Sequence, residues 1–398
     1  MKIKLRKIKF IAAILIAVSM TGIILPLFSS CDGNRQVVNV FNWGEYISDA
    51  SGDINVLKEF ERETGIKVNY TTYATNEELY SKLKSSNANY DIIIPSDYMI
   101  GRLINEDMLE PINFDNIPNY QYIMDDYKDL NFDPSNQYSV PYTWGTVVLI
   151  YNAKFVTKPV DSWDILWDED YSGRIAMFNN SRDAFGIALK RLGYSINTTD
   201  INELERAKED LIKQKDLLQG YYMDEIFNKM GSEELWIAPY YAGDALYMME
   251  DNPNLDAAYP KEGTNRFVDS MCIPKGARNK ENAEKFINFM ARPDIAAANS
   301  EYIGYSTPNQ GAYELLEEEV KNNPITYPGE EILVNTEMFL NLPEDINKKI
   351  DELWTEARGA SVGDMFNLLL FPILIVVLIV LCVIIIVGKK KKKKNAEY

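Results

Sequence analysis

The 398-residue sequence contains no histidine. That absence removes the Ser-His and Cys-His nucleophilic systems, histidine general bases and every metal site that needs an imidazole. Cysteine is scarce: Cys31, Cys272 and Cys382 lie far apart, which suggests neither a zinc cluster nor a disulfide framework. No metal and no cofactor is expected. Basic residues are in deficit, 41 Lys and Arg against 59 Asp and Glu, for a formal net charge of −18. An acidic surface repels nucleic acid and anionic lipid and concentrates cations, so no nucleic-acid partner is expected. The same charge also serves plain solubility and by itself selects no ligand. In other respects the composition is that of an ordinary folded protein, 46% hydrophobic and 25% charged, and the length predicts two lobes or domains.

What is present at the two ends concerns the membrane. Lys2, Lys4, Arg6, Lys7 and Lys9 precede an apolar run from Phe10 to Phe28, the layout of a secretory signal over residues 1–30. The run closes as Leu27-Phe28-Ser29-Ser30-Cys31, similar to a bacterial lipobox, with Cys31 as the expected lipidated residue and Phe28 bulkier than that motif usually allows. An uncleaved anchor is the plainer alternative. At the other end, residues 365–387 carry no charge and are long enough to cross a bilayer as a helix. Lys389 to Lys394 follow, which places the tail of residues 388–398 in the cytoplasm. Between Cys31 and the span the chain has 30 basic against 58 acidic residues, a charge of −28. The sequence therefore predicts an extracytoplasmic domain tethered by a lipid anchor and a C-terminal transmembrane helix.

Within the domain, helix and strand alternate. Val37 to Phe41 reads as a strand, Asn55 to Thr64 as an amphipathic helix stopped by Gly65, and Ile66 to Tyr73 as a second strand. Tyr90 to Ile94 is a buried strand and Tyr138 to Asn152 a long extended run. Ile175-Ala176-Met177 leads into a helix that Ser181 could cap, followed by a charged helix from Ile201 to Leu218 and a strand from Leu235 to Tyr241. The alternation predicts an α/β fold with parallel sheet and helices on both faces.

The stretch from Arg266 to Pro274 stands out. It reads as a short strand with Phe267 and Asp269 on one face, because residues two apart share a face. A buried carboxylate is costly unless a cation or hydrogen bonds meet it. The plainer reading pairs Asp269 with an internal Lys or Arg; the sharper one has its partner arrive from outside. Aromatic and acidic residues recur at predicted strand ends: Trp43 and Tyr46, Ser96 and Tyr98, Asp183, Tyr241, Phe267 with Asp269, and Tyr305. Aromatic faces and carboxylates suit a cationic amine, through cation–π contact and charge-assisted hydrogen bonds.

Several short motifs resemble the periplasmic polyamine-binding proteins, the spermidine/putrescine receptors of ABC importers. They are N-W-x-E-Y at 42–46, E-x-E-T-G-I-K-V at 61–68, P-S-x-Y at 95–98, Y-S-x-P-Y-x-W-G at 138–145, L-G-Y-S at 192–195, P-K-E-G at 260–263, V-D-S at 268–270 and I-G-Y-x-T-P-N at 303–309. The resemblance implies a type II periplasmic-binding-protein fold, two α/β lobes joined by crossing hinge strands that close on a ligand in the cleft. It divides the chain into lobe 1 (37–145 and 270–308) and lobe 2 (146–269 and 309–360). It implies a polyamine ligand, putrescine and/or spermidine, and ABC permease subunits as partners. Carried over by position, Trp43, Tyr46, Tyr98, Phe267 and Tyr305 match aromatic walls, with Tyr241 where the family often has tryptophan. Asp269 matches the central amine-binding carboxylate, Asp183 an acid for a terminal amine, and Ser96 and Asn180 complete the set. Asn180 stands where a second acid is common, which favours a diamine, although Asp97 and Glu45 could compensate.

Other classes remain to be weighed. Asp183 and Asp269 could in principle form the acid and base of a membrane-tethered glycosidase, but nothing in the sequence positions them against each other. A sugar or other small-solute receptor of the same fold is the nearer rival, and Arg182 and Arg266 would suit it. A tethered scaffold protein would bind no small molecule. The reading adopted is a non-enzymatic receptor. Replacing Cys31 by Ala is expected to abolish incorporation of an acyl label while the protein stays in the membrane fraction through residues 365–387. Acyl labelling that survives the change rules the lipobox out.

Overall fold

The computed structural model describes residues 36–48, 54–85 and 88–359. The expected signal peptide (1–30), the expected lipidation site Cys31, the expected span over 365–387 and the tail 388–398 lie outside these residues. Among the described residues no helix is long and apolar enough to cross a membrane. The strands are β1 (Val37–Trp43), β2 (Lys67–Tyr73), β3 (Ile92–Ile93), β4 (Ser139–Asn152), β5 (Ile175–Phe178), β6 (Leu218–Tyr222), β7 (Ile237–Tyr241), β8 (Leu255–Ala258), β9 (Thr264–Cys272) and β10 (Thr336–Glu337). The chain forms two compact units. One takes the residues up to Thr143, Asp269–Ile303 and Thr307–Leu316; the other takes Trp144–Val268, Gly304–Ser306 and the chain from Glu317. The division falls inside β4 and inside β9.

In the first unit, β1 lies between β2 and β3, parallel to both, and Ile93 of β3 pairs antiparallel with Cys272 of β9. The helix Val56–Thr64 forms where expected. The Asn55 side chain accepts from the Lys58 N–H at its start, and Gly65 ends it in the left-handed region (φ 70). Phe60 of that helix meets Phe286 and Phe289 edge-on, at ring centroid distances of 5.0 and 5.3 Å, and so closes one face of the sheet. Asp91, fully buried just before β3, ties the unit together. It accepts from the backbone N–H and side-chain amide of Asn39 at 2.8 and 2.7 Å. From far along the chain come the N–H groups of Arg278 and Asn279 at 3.1 and 2.9 Å and the Asn279 amide at 3.0 Å.

In the second unit β5 is parallel to both β6 and β7, and β4 is antiparallel to β7 and β8. The core is a single cluster that includes Val148, Ile150, Trp163, Phe178, Phe185, Leu204, Ile237 and Leu353. Two local expectations are corrected. Asn180, not Ser181, caps the helix Ser181–Arg191, its side-chain oxygen accepting from the Arg182 N–H at 2.9 Å. The charged helix ends at Lys215 rather than Leu218, because Leu218–Tyr222 pairs with β5 as a strand.

Removing the carboxylate of Asp91 leaves several buried donors without an acceptor. Asp91→Ala is expected to lower the unfolding free energy by roughly 3 kcal/mol or more in urea titrations. A loss under about 1 kcal/mol would mean that water takes over the carboxylate's place.

Candidate functional site

The residues singled out by the sequence fall into two sets, one in each unit. The first gathers at the C-terminal ends of β1 and β3, where ligands sit in open α/β sheets. Trp43 ends β1, its indole N–H donating to the Ile94 carbonyl at 2.9 Å. The Tyr73 hydroxyl donates to that same carbonyl at 2.7 Å, and the Trp43 and Tyr73 rings lie 4.7 Å apart. Ser96 faces Asp269 across an isolated antiparallel bridge. Tyr98, in the first turn of the helix Asp97–Asn105, donates its hydroxyl to Glu77 at 2.9 Å.

Asp269 is the centre of this set and is only 3% exposed. Its Oδ2 accepts from the Tyr46 hydroxyl at 2.7 Å, and that hydroxyl also lies 2.5 Å from the Thr143 hydroxyl oxygen. Its Oδ1 is buried with no hydrogen-bond partner among the described residues. No Lys or Arg of those residues pairs with it, so the internal cation of the plainer reading is missing. Burial pushes the carboxyl up from 3.8 to about 6, and the nearby hydroxyls of Ser96 and Tyr46 pull it part of the way back. Burial first, and then the charge of Asp269, raise the Tyr46 and Tyr73 hydroxyls well above the usual tyrosine range.

Tyr46 is held from behind. The Tyr142 hydroxyl donates to the Tyr46 carbonyl at 2.6 Å and accepts from the Asn299 amide at 2.9 Å. The oxygen of Asn299 in turn takes the Ser48 N–H at 2.9 Å. Tyr73, Tyr142 and Thr143 escaped the sequence reading, although Tyr73 carries the signal used elsewhere, an aromatic closing a strand. Of the compensating acids considered, Asp97 is buried and accepts from the Tyr98 N–H at 2.6 Å, whereas Glu45 is exposed, with φ 45.

The second set is an aromatic row with an acid at one end. Tyr241, last residue of β7, donates its hydroxyl to Asp183 Oδ2 at 2.8 Å. Its ring lies 5.0 Å from Phe178 and 5.6 Å from Phe267, and Phe267 lies 6.2 Å from Tyr305. Two glycines make the row possible. A Cβ on Gly145 would stand 2.8 Å from Phe267 Cζ, and one on Gly243 would stand 2.4 Å from Tyr305 Cδ1's opposite ring atom, Cδ2. Asn180 and Asp183 belong to the N-terminus of the helix Ser181–Arg191, Asn180 as its cap. Arg182 lies over Phe339 at 4.6 Å and donates to Asn347 and to the Leu340 carbonyl, both at 3.3 Å.

Two α/β units, each with acid and ring at strand ends, define a solute-binding protein. The chain belongs to the family described as bacterial extracellular solute-binding protein, which matches residues 55–328. It is 38% identical over 306 residues to the spermidine/putrescine-binding periplasmic protein of Escherichia coli (strain K12), covering 76% of this chain and 86% of that protein. Among solved structures it is similar to the spermidine/putrescine ABC transporter substrate-binding protein PotD from Streptococcus pneumoniae, at 37% identity and a TM-score of 0.70, over 81% of this chain and 98% of that one. The TpPotD lipoprotein of Treponema pallidum matches with a TM-score of 0.73 and 28% identity, over 81% and 99%. The fold is the α/β periplasmic-binding-protein fold.

The raised carboxyl has a consequence for the free protein. Its folded state holds the Asp269 proton more tightly than the unfolded chain, so this group's contribution to stability is greatest below pH 3.8 and is lost as pH rises through about 6. At pH 8 the buried charge costs about 3 kcal/mol. Asp269→Asn is therefore expected to unfold at higher denaturant than wild type at pH 8, with the difference shrinking below pH 5. A variant less stable than wild type at pH 8 would mark the acid as structural.

Proposed function

We propose that the protein is an extracytoplasmic receptor that captures a polyamine, putrescine and/or spermidine, and delivers it to the permease subunits of an ABC importer. One observation carries this reading: Asp269 is buried, and among the described residues one of its oxygens has no partner and no protein cation pairs with it. An ammonium group supplies the missing charge and donors together, and the neighbouring rings of Trp43, Tyr73 and Tyr98 suit the ligand's cationic and methylene parts. In the second unit, Asp183 with Tyr241 takes another ammonium group, flanked by Phe267 and Tyr305; Ser96 and Asn180 contribute polar contacts. The names of the relatives support the same ligand class. A neutral sugar would leave the charge of Asp269 uncompensated, which disfavours the sugar-receptor alternative.

Location follows the same reading. The receptor domain works outside the cytoplasm, held by lipid on Cys31 and by a span over residues 365–387, with residues 388–398 inside. A tethered receptor stays close to its importer, so capture and delivery take place at one surface.

The test is calorimetric titration with putrescine and spermidine between pH 5 and pH 8. Ligand favours the ionised carboxylate, so affinity should be flat above pH 7 and fall by up to about tenfold per pH unit below 6. Asp269→Asn should lose about 3–5 kcal/mol of binding, roughly 200- to 4,000-fold, and with it the pH dependence. Wild-type affinity in a folded Asp269→Asn protein would overturn the assignment.

A further inference from the structure

We infer that Glu77 is a ligand-positioning acid of the first unit: through the hydroxyl of Tyr98 it presents negative charge to an ammonium group held beside Asp269. The inference rests on the polyamine reading above, and every residue involved belongs to that one unit.

The first turn of the helix Asn76–Lys84 faces the stretch from Ser96 to Tyr98. Thr75 caps this helix, its side chain accepting from the Glu78 N–H at 3.1 Å, and the Glu78 carboxylate turns back to the Ala74 N–H at 3.1 Å. Two other side chains of the turn reach across. Asn76, 2% exposed, accepts the Ser96 N–H at 3.3 Å, and Glu77 Oε1 accepts the Tyr98 hydroxyl at 2.9 Å. The stretch they hold is the one that meets Asp269. Ser96 is the cap residue of the helix Asp97–Asn105, yet it makes no side-chain cap bond and pairs with Asp269 across the isolated bridge. The Tyr73 hydroxyl, raised first by burial, feels both Asp269 and Tyr98, so the three groups lie close together.

A plain tie between the two helices is the simpler account of the Glu77–Tyr98 bond. Tyr98 is 7% exposed, and any neutral acceptor would satisfy its proton. A carboxylate does something further. A hydroxyl has one proton to give and two lone pairs to receive with. With its proton given to Glu77, the Tyr98 oxygen becomes a stronger acceptor, because hydrogen bonds in a chain polarise one another. An ammonium N–H is the donor that gains most from this. Asp269 then offers a full charge and Tyr98 the relayed part of a second. A second bare carboxylate against Asp269 would force one of the two to take up a proton. Set behind a hydroxyl, the charge acts without that cost.

Glu77→Gln separates the two accounts, since the amide oxygen still accepts the Tyr98 hydroxyl while the charge is gone. The experiment is calorimetric titration with putrescine and spermidine at pH 8, with urea unfolding alongside, on wild type, Glu77→Gln, Tyr98→Phe and the double variant. Glu77→Gln should unfold at the wild-type urea midpoint and bind both amines about tenfold more weakly. On the Tyr98→Phe background the same change should cost less than about twofold, because the relay is already broken. Wild-type affinity in Glu77→Gln overturns the inference. A lowered urea midpoint or an unfolded variant also overturns it and makes Glu77 a helix tie. A tenfold loss that persists without the hydroxyl overturns it as well and makes Glu77 a remote charge. Wild-type protein that binds neither amine overturns the polyamine reading instead, a result visible before any variant is compared.

Discussion

A carboxylate buried without a counter-ion among the described residues is the constraint on which the first unit depends. Asp269 is placed on β9 next to the ends of β1 and β3, buried beside Tyr46 and Tyr73. Two hydroxyls, from Tyr46 and Ser96, offset part of the desolvation, and the remainder shows as a carboxyl raised to about 6. Hydroxyls matter here because they are neutral. A lysine in their place would cancel the charge for good, and the strand would then be an ordinary structural pair. Partial compensation leaves a deficit of a size that one ligand cation can make good.

The two sets divide the work differently. Around Asp269 the rings hold one another through polar atoms: the Ile94 carbonyl takes both Trp43 and Tyr73, and the Tyr142–Asn299–Ser48 chain fixes the backbone that carries Tyr46. In the second unit the rings hold one another by shape. Phe178, Tyr241, Phe267 and Tyr305 run ring against ring, and Gly145 and Gly243 are bare because any side chain there would overlap the row. Polar fixation sets a charge geometry; close packing sets a surface.

Much of the scaffold could be read from the chain because it is locally encoded. The helix Val56–Thr64 carries its own start in Asn55 and its own stop in Gly65, and β1 announces itself by its valines. What could not be read depends on distant partners. Thr143 touches Tyr46 only because β4 and the β1 end converge, and it falls at the variable position of the motif at 138–145. Asn180 and Ser181 are both good caps, and only the side-chain geometry separates them. The helix expected to run to Leu218 stops early because β5 offers its next residues a pairing partner, a tertiary demand overriding a local tendency.

The knot at Asp91 bears on how the protein is made. Its partners come from Asn39 and, 187 and 188 residues later, from Arg278 and Asn279. The strand carrying Asp269 likewise joins the first unit only after the whole of the segment from Trp144 to Val268 has been synthesised. A chain emerging N-terminus first therefore presents β1, β2 and β3 with a gap where β9 belongs, and loop closure over so long a separation is slow. The intervening segment can gather its own core in the meantime. The cluster around Asp269 is thus among the last parts of the nascent chain to assemble.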